Sequence, residues 1–330
     1  MAAKVDTHPE QLGAPGLKRT ARIYLELTKL RIVLLLLFTT VTAMVIAAEG
    51  VPPLAVLLPT LLGGALSAAG SSAVNQYIDR DMDAKMARTA RRPIPSGRIP
   101  PMNALVFGLA LIALSTLTLG LFVNWLAAAL ALGGAVYYIV VYTLLLKRNT
   151  VLNILIGGGA GAMPVLVGWA AVTGSLNFEA LILVLIIFYW TPPHSWALAL
   201  LVNTDYTRAN VPMMPVARGE RVTRLQIVLY SVQLFIITLL PGPFQMLGMI
   251  YMLAAAVLGG ILIHMALRLM KRFVAPGYAD PIQFQAGNPY GASFVSNNAQ
   301  LDPDETAQAA ARFQGKRVAE ITAQFLKGGE

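Results

Sequence analysis

The chain has 330 residues, of which 56% are hydrophobic and only 12% charged, and its mean hydropathy is +0.64. This composition excludes an ordinary soluble globule and predicts a membrane protein. The absence of cysteine excludes disulfides, thiolate metal sites and cysteine nucleophiles. A net charge of +9 is compatible with nucleic-acid binding, but the placement of the charges favours a membrane partner and no nucleic acid.

Apolar runs long enough to cross about 30 Å of hydrocarbon occur repeatedly from residue 32 onward. They predict an all-α, polytopic membrane bundle over residues 26–274, with a flexible arm at 1–25 and a polar tail at 275–330. We count eight such runs, which lie near Ile32–Ala48, Leu54–Val74, Ala104–Val123, Leu126–Leu146, Val151–Val172, Phe178–Val202, Leu225–Leu240 and Leu247–Leu267.

Lysine and arginine lie on one side of this predicted bundle. The first, third, fifth and seventh connections, near Gly50, Asn124, Gly174 and Gly242, contain neither residue. All 25 cationic residues lie in the two ends of the chain, the even-numbered connections and the helix ends beside them. This positive-inside pattern predicts a cytoplasmic N-terminus and cytoplasmic charged connections. Lys29 is predicted to anchor the first span at the lipid headgroups.

The segment that continues the second apolar run is the most informative one. Asn75, Asp79 and Asp83 are spaced four apart, and each step of four advances about 400° around a helix, which is one turn plus about 40°. One amide and two carboxylates therefore share one helix face. Such carboxylates at a bilayer edge are costly unless they hold a cation, and the set suits Mg²⁺ shared with phosphate oxygens. Asp81 lies about 200° from Asp79 and is predicted to pair with a neighbouring arginine.

Cationic residues begin inside this motif and follow it closely. They supply the complementary half of a diphosphate site, although membrane orientation alone would also explain many of them. The candidates for binding a diphosphate substrate are Arg80, Lys85, Arg88, Arg91 and Arg92.

A second polar cluster, Asn203–Arg208, ends the sixth apolar run and echoes the first motif. Two acidic sites that face each other across a bundle could grip two metal ions or both ends of a magnesium diphosphate. We therefore predict Asp205 as a metal and substrate ligand, with Tyr206 and Arg208 beside the substrate. The alternative is that Asp205 is a loop residue or a helix cap.

The fourth connection carries Lys147 and Arg148, between Tyr142 in one span and Asn153 in the next. Asn153 is predicted to face the bundle, because an amide that faces lipid would be costly. The four side chains together predict a polar pocket that faces phosphate. The alternative is that the two cations are ordinary interfacial anchors.

His194 follows two successive prolines within the sixth span. Successive prolines interrupt the hydrogen bonding of a helix, which a membrane tolerates mainly where the backbone lines a cavity. The two prolines are therefore predicted to open the sixth span beside a cavity, and His194 is predicted to contact a substrate there. The alternative is a structural histidine that is hydrogen-bonded to a neighbouring helix.

The segment Asn75–Asp83, with the arginines that follow it, resembles the first aspartate-rich signature of the UbiA-type intramembrane prenyltransferases. The sequence is most similar to the heme-farnesylating branch of that family. The similarity runs from about Leu27 to Gly219 and is carried further by the segments Tyr142–Asn153, Ala160–Gly174, Trp190–His194 and Asp205–Val216.

The resemblance implies an enzyme of the bacterial inner membrane that transfers a farnesyl group from farnesyl diphosphate to a vinyl group of protoheme IX, with Mg²⁺ as cofactor. It implies that Asn75, Asp79 and Asp83 hold the metal, and that Lys147 and Arg148, with arginines among residues 88–92, stabilise the leaving diphosphate. Heme A synthase or oxidase assembly factors are implied partners.

Two departures from the family pattern stand out. The wider family has a second signature with two or more acids, of which only Asp205 remains here. Whether the site binds one Mg²⁺ ion or two is therefore open. The family has nine membrane helices, whereas eight runs are visible before the polar tail.

Two rival functions would share part of this pattern. A related prenyltransferase acting on a quinone-precursor or chlorophyll-type acceptor would share the diphosphate site but lack the heme-branch motifs around Trp190–His194. A transporter or channel would place its charges near the midplane of the membrane rather than at one face.

Overall fold

The computed structural model describes residues 16–271 and the single positions 309, 312 and 316. The polar tail predicted at 275–330 therefore lies, apart from those three positions, outside the described residues, as do residues 1–15 of the predicted arm. The chain divides into two units, residues 1–270 and 271–330.

Helices are the only regular secondary structure among the described residues of the first unit, which confirms the predicted all-α class. Its elements in chain order are α1 (Leu17–Thr28), α2 (Leu30–Ala47), α3 (Leu54–Asp83), α4 (Pro101–Phe122), α5 (Trp125–Val136), a π-helix (Tyr137–Leu146), α6 (Asn153–Gly157), α7 (Gly159–Thr173), α8 (Phe178–Leu201), α9 (Asn203–Arg208), α10 (Met214–Thr238) and α11 (Met249–Lys271).

Within residues 16–271, seven helical segments are long and apolar enough to cross a membrane. Each is apolar around most of its circumference, as expected for helices that face lipid on one side and one another on the other. Helix α10 covers the remaining predicted run, Leu225–Leu240, and has 25 residues. The chain is thus a multi-pass membrane protein.

Helix α1 is amphipathic and begins at Leu17, so ordered structure starts inside the segment 1–25 that was predicted as a flexible arm. Its buried residues Ile23 and Leu27 pack with Ala73 of α3 and with Ile94 from the segment after α3. This burial of apolar surface explains why α1 is ordered.

Helix α3 has 30 residues and carries the acidic motif on its last turns, as the four-residue spacing predicted. Small residues let it lie close to α4: a Cβ added at Gly70 would lie 2.6 Å from the carbonyl oxygen of Gly108. Close backbone approach at small residues is a common way to pack membrane helices. Residues 84–100 follow α3 as a series of turns.

Two segments differ from regular α-helix or from expectation. Thr143 donates its hydroxyl to the carbonyl of Tyr138, and the amide of Lys147 donates to the carbonyl of Tyr142, so side chains five apart share a face of the π-helix. Helix α8, in contrast, runs without a break through Pro192 and Pro193. The opening predicted there is absent, because proline's φ is itself compatible with a helix.

Candidate active site

Two buried carboxylates form the centre of the site. Asp79 and Asp83 are 0% and 1% exposed. The side-chain amide of Asn75 donates to Asp79 Oδ2 at 2.9 Å and to Thr143 Oγ1 at 3.1 Å, which joins α3 to the π-helix. The predicted shared face of α3 is therefore present, and it faces the interior of the bundle.

Each carboxylate is paired with a cation from another segment. Lys147 Nζ, at the end of the π-helix, donates to Asp79 Oδ2. An Arg148 nitrogen lies 3.5 Å from Asp79 Oδ1, and an Arg92 nitrogen lies 2.6 Å from Asp83 Oδ2. Buried charges need such partners, because desolvation costs several kcal/mol per ion.

A polar chamber of about 160 Å³ lies beside these pairs. It collects four cationic side chains against Asn75 and Asp83, so its charge suits a polyanion that arrives with a cation. Its lining residues are Lys29, Asn75, Asp83, Met86, Arg88, Arg92, Tyr138, Tyr142, Lys147 and Tyr206.

A second, apolar cavity of about 330 Å³ adjoins the polar chamber. Lys29, Tyr138 and Tyr142 line both spaces, so they mark the passage from one to the other. The remainder of the apolar cavity is lined by Thr28 at the end of α1 and by residues of α2, α3, α5, α6, α7 and α8. A charged group joined to an apolar chain would find both of its halves accommodated.

Several other predicted residues lie at or beside this site. Arg88, Tyr142 and Tyr206 line the polar chamber. Asn153 is fully buried, and its side-chain nitrogen lies 3.5 Å from the Lys147 carbonyl. Asp205 Oδ2 lies 3.4 Å from the Arg88 backbone nitrogen, so it contacts the segment after α3 rather than the acidic pair.

The structure places four of the predicted cationic substrate-binding residues outside both cavities. Arg80 donates to the Tyr77 carbonyl and covers the Tyr77 ring at 4.7 Å, while Lys85, Arg91 and Arg208 are exposed. Helix α3 ends at Asp83, and Lys85 and Arg91 lie in the turns that follow it. Asp81 is 75% exposed and 3.9 Å from Arg80, which confirms its predicted pairing with an arginine.

His194 is exposed on the outer side of α8 and lies outside both cavities. Its ring stacks on Trp190, with centroids 4.2 Å apart and planes 16° apart. Thr191 and Ser195, on the adjacent face of α8, line the apolar cavity. His194 therefore lies on the lipid side of the wall that these two residues form.

Lys29 is the site residue that the sequence placed wrongly. It was predicted to reach the headgroups, but its Nζ lies 3.4 Å from Asn75 Oδ1. Its backbone φ of +51° turns the chain sharply between α1 and α2 and directs the residue inward. Burial, with a smaller contribution from the positive charges of Arg92 and Lys147, lowers the pKa of Lys29 to about 7. Thr143 and Tyr138 were also missed.

The acidic motif fits a magnesium ion. Asp79 Oδ1 and Asp83 Oδ1 are buried and accept no hydrogen bond from the described part of the chain. A buried carboxylate oxygen without a donor is costly, and carboxylate and amide oxygens are the ligands that Mg²⁺ prefers. Over residues 16–271, no three His, Asp or Glu side chains cluster as a complete metal site, so Asp205 does not join the pair. Substrate oxygens would have to complete the coordination.

The chain is similar in sequence to proteins of known name. A protoheme IX farnesyltransferase from Roseiflexus sp. (strain RS-1) is 51% identical over 272 residues, which are 80% of this chain and 51% of that protein. The chain thus spans about half the length of this relative. A protoheme IX farnesyltransferase from Symbiobacterium thermophilum is 51% identical over 253 residues, 77% of this chain and 85% of that protein.

The fold also has solved counterparts. A UbiA homolog from Archaeoglobus fulgidus, bound to GPP and Mg²⁺, matches with a TM-score of 0.58 at 18% identity, over 91% of this chain and 98% of that one. At this identity the likeness shows the fold alone. The profile of the UbiA prenyltransferase family matches residues 36–275, well over half of the sequence. The chain therefore belongs to the UbiA prenyltransferase family.

Proposed function

We propose that this protein transfers a farnesyl group from farnesyl diphosphate to a vinyl group of protoheme IX. The observation that carries the proposal is the pairing of a cation-rich polar chamber with an adjoining apolar cavity, in a chain about half identical to proteins named protoheme IX farnesyltransferase. The chamber suits the diphosphate and the cavity suits the apolar chain.

In this proposal, Lys147, Arg92 and Arg88 contact the diphosphate from the polar chamber. Cations held in place around a leaving group stabilise the negative charge that grows as its bond to carbon breaks. Lys29 adds a fourth hydrogen-bond donor at the passage between the two spaces. Arg148 lies 3.5 Å from Asp79, the carboxylate that also pairs with Lys147, and adds a second positive charge beside it.

Asn75, Asp79 and Asp83 would hold Mg²⁺. The ion would supply Lewis-acid stabilisation of the diphosphate oxygens, of the kind that contributes several kcal/mol in metal-assisted reactions. Asp205 holds the Arg88 backbone, and through it the segment that carries Arg92.

The reaction breaks the bond between the first farnesyl carbon and the diphosphate oxygen, and the electron pair leaves with the diphosphate. The vinyl carbon of protoheme then attacks the allylic cation. Water adds to the resulting benzylic-type cation, releases a proton and leaves a hydroxyethylfarnesyl side chain. The apolar lining of the cavity excludes other water from the first cation.

Turnover of radiolabelled farnesyl diphosphate by the purified protein in detergent tests this proposal. We expect a labelled heme product with protoheme IX, and no labelled product with a hydroxybenzoate acceptor. Prenylation of the hydroxybenzoate instead would assign the protein to quinone-precursor chemistry. Release of no diphosphate with any acceptor would refute a transferase.

We propose further that protoheme contacts His194 from the lipid side of α8, where the imidazole could bind its iron. His194→Ala should then weaken heme binding, measured by the Soret shift, while the affinity for farnesyl diphosphate stays within about twofold, since His194 lies outside the polar chamber. Loss of farnesyl diphosphate affinity alone would contradict this division. Unchanged binding of both would make the Trp190 stack purely structural.

We infer a cytoplasmic position for the polar chamber, in the inner membrane of a bacterium, from the one-sided distribution of lysine and arginine. The native chain has no cysteine, so single cysteines report orientation cleanly. Gly50→Cys, Ser175→Cys and Pro243→Cys should react with an impermeant maleimide in intact cells. Lys85→Cys, which is exposed near the polar chamber, should react only after permeabilisation. The reverse pattern would overturn the orientation.

A further inference from the structure

The apolar cavity has a closed end far from the polar chamber. Helices α2 and α7 cross so closely that no Cβ could be placed at Gly168 beside the Thr40 backbone. Thr40 and Val167 both line the cavity, and Val167 belongs to a packed cluster with Met44 and Leu119. An apolar chain that enters from the polar chamber therefore meets a wall of packed side chains at this level.

Gly64 lies at that closed end. It lines the cavity fifteen positions before Asp79 on the same continuous helix, which is about 22 Å along the axis. A Cβ added there would meet only Leu37 Cδ2, at 3.4 Å, which is an ordinary contact. A larger side chain at Gly64 would therefore extend into the cavity without displacing backbone.

The cavity has little spare volume. Its 330 Å³ is near the lower end of the usual size of ligand pockets, about 300 to 1,000 Å³. One side chain added at its far end would remove a substantial part of the space that the last segment of a bound chain needs. Removal of atoms from Leu37 would add space at the same level.

We propose that Gly64 and Leu37 set the longest prenyl chain that this protein accepts. The inference rests on the proposed function, in which the cavity holds the prenyl chain of the donor. A side chain at Gly64 would meet the last isoprene unit of farnesyl, whereas a geranyl chain, one unit shorter, would end before it.

Two other glycines provide matched controls. Gly161 lines the cavity with no atom within 4 Å of an added Cβ, and it lies one turn beyond Gly157, which packs against Tyr142 at the passage. A leucine at Gly161 should hinder every donor, short or long. Gly133 is exposed, lies outside the cavity and has no atom within 4 Å of an added Cβ. A leucine there should leave the affinity for every donor unchanged.

The test measures binding of thiolodiphosphate analogues of geranyl, farnesyl and geranylgeranyl diphosphate by calorimetry, so that it does not depend on the acceptor. Gly64→Leu should lower the affinity for the farnesyl analogue by about tenfold or more. The affinity for the geranyl analogue should stay within about threefold of wild type, because clashes in an apolar pocket discriminate by such factors. Leu37→Ala should raise the affinity for the geranylgeranyl analogue by about tenfold.

Equal weakening of geranyl and farnesyl analogues by Gly64→Leu, or no effect on either, would overturn the inference. If Gly64→Leu does not fold, Leu37→Ala decides alone, and an unchanged preference in that variant overturns it. Analogue binding that shifts as expected, without prenylation of heme, would refute the assigned acceptor and leave the inference standing. A wild-type protein that binds none of the analogues would overturn both.

Discussion

Asparagine in place of Asp79 is expected to lower metal-dependent turnover by about 100-fold or more, and Asp83→Asn should do the same. Each change keeps the shape of the side chain but removes one of the two negative charges that would hold the metal. Loss of a preorganised electrostatic contact to a reacting group typically costs this much in kcat. The measurement is single-turnover release of diphosphate with Mg²⁺ in excess, together with Mn²⁺ binding by electron paramagnetic resonance.

Asp81→Asn is the matched control. Asp81 is on the same helix but is 75% exposed, and its ion pair with Arg80 is long at 3.9 Å. Its turnover should stay within about twofold of wild type, because exposed ion pairs contribute little. Near-normal turnover in both Asp79→Asn and Asp83→Asn would refute the metal assignment.

Asp79→Asn also leaves Lys147 without its buried partner, which can destabilise a protein by about 3–5 kcal/mol. The double variant Asp79→Asn/Lys147→Met removes both charges and should unfold in detergent at nearly the wild-type temperature while remaining inactive. Inactivity that persists in this stable double variant separates a role in the site from a role in folding.

Methionine in place of Lys147 is expected to lower single-turnover release of diphosphate by about 100-fold, because a cation beside the leaving group is lost. The same change frees Asp79 Oδ2 from its ion pair. Affinity for Mn²⁺ in the absence of diphosphate should therefore rise while catalysis falls. A merely structural lysine would lower both or change neither.

Lys85→Met is the control for this prediction, because Lys85 follows the same motif but is exposed and outside the polar chamber. It should alter neither diphosphate release nor Mn²⁺ affinity. A fall in Mn²⁺ affinity in Lys147→Met would show that Lys147 does not compete with the metal for Asp79.

The sequence predicted best where one regular element carried the pattern. Asn75, Asp79 and Asp83 share a face because α3 stays helical through its last residue, so the four-residue spacing translates directly into a common direction. Seven of the eight apolar runs coincide with helices long and apolar enough to cross a membrane, since a membrane requires helices of a minimum length. The Asp81 side chain followed from the same geometry.

Several of the residues that prediction misplaced lie where regular geometry ends. Beyond Asp83 the chain turns, so that Arg92 reaches the site whereas Lys85 and Arg91 do not. Lys29 points inward because of a left-handed backbone conformation that the sequence does not show. The π-helix changes the period from about 3.6 residues to one that aligns side chains five apart, which joined Tyr138 to the site unexpectedly.

The ion pairs of Asp79 and Asp83 also bear on how the chain reaches its folded state. Many metal sites consist of ligands that repel one another until the ion arrives, so that folding and loading are linked. Here each buried carboxylate receives its counter-charge from another part of the same chain, Lys147 in one case and Arg92 in the other. A newly inserted chain can therefore close its bundle with neither metal nor substrate at hand, and chelation should empty the protein without unfolding it.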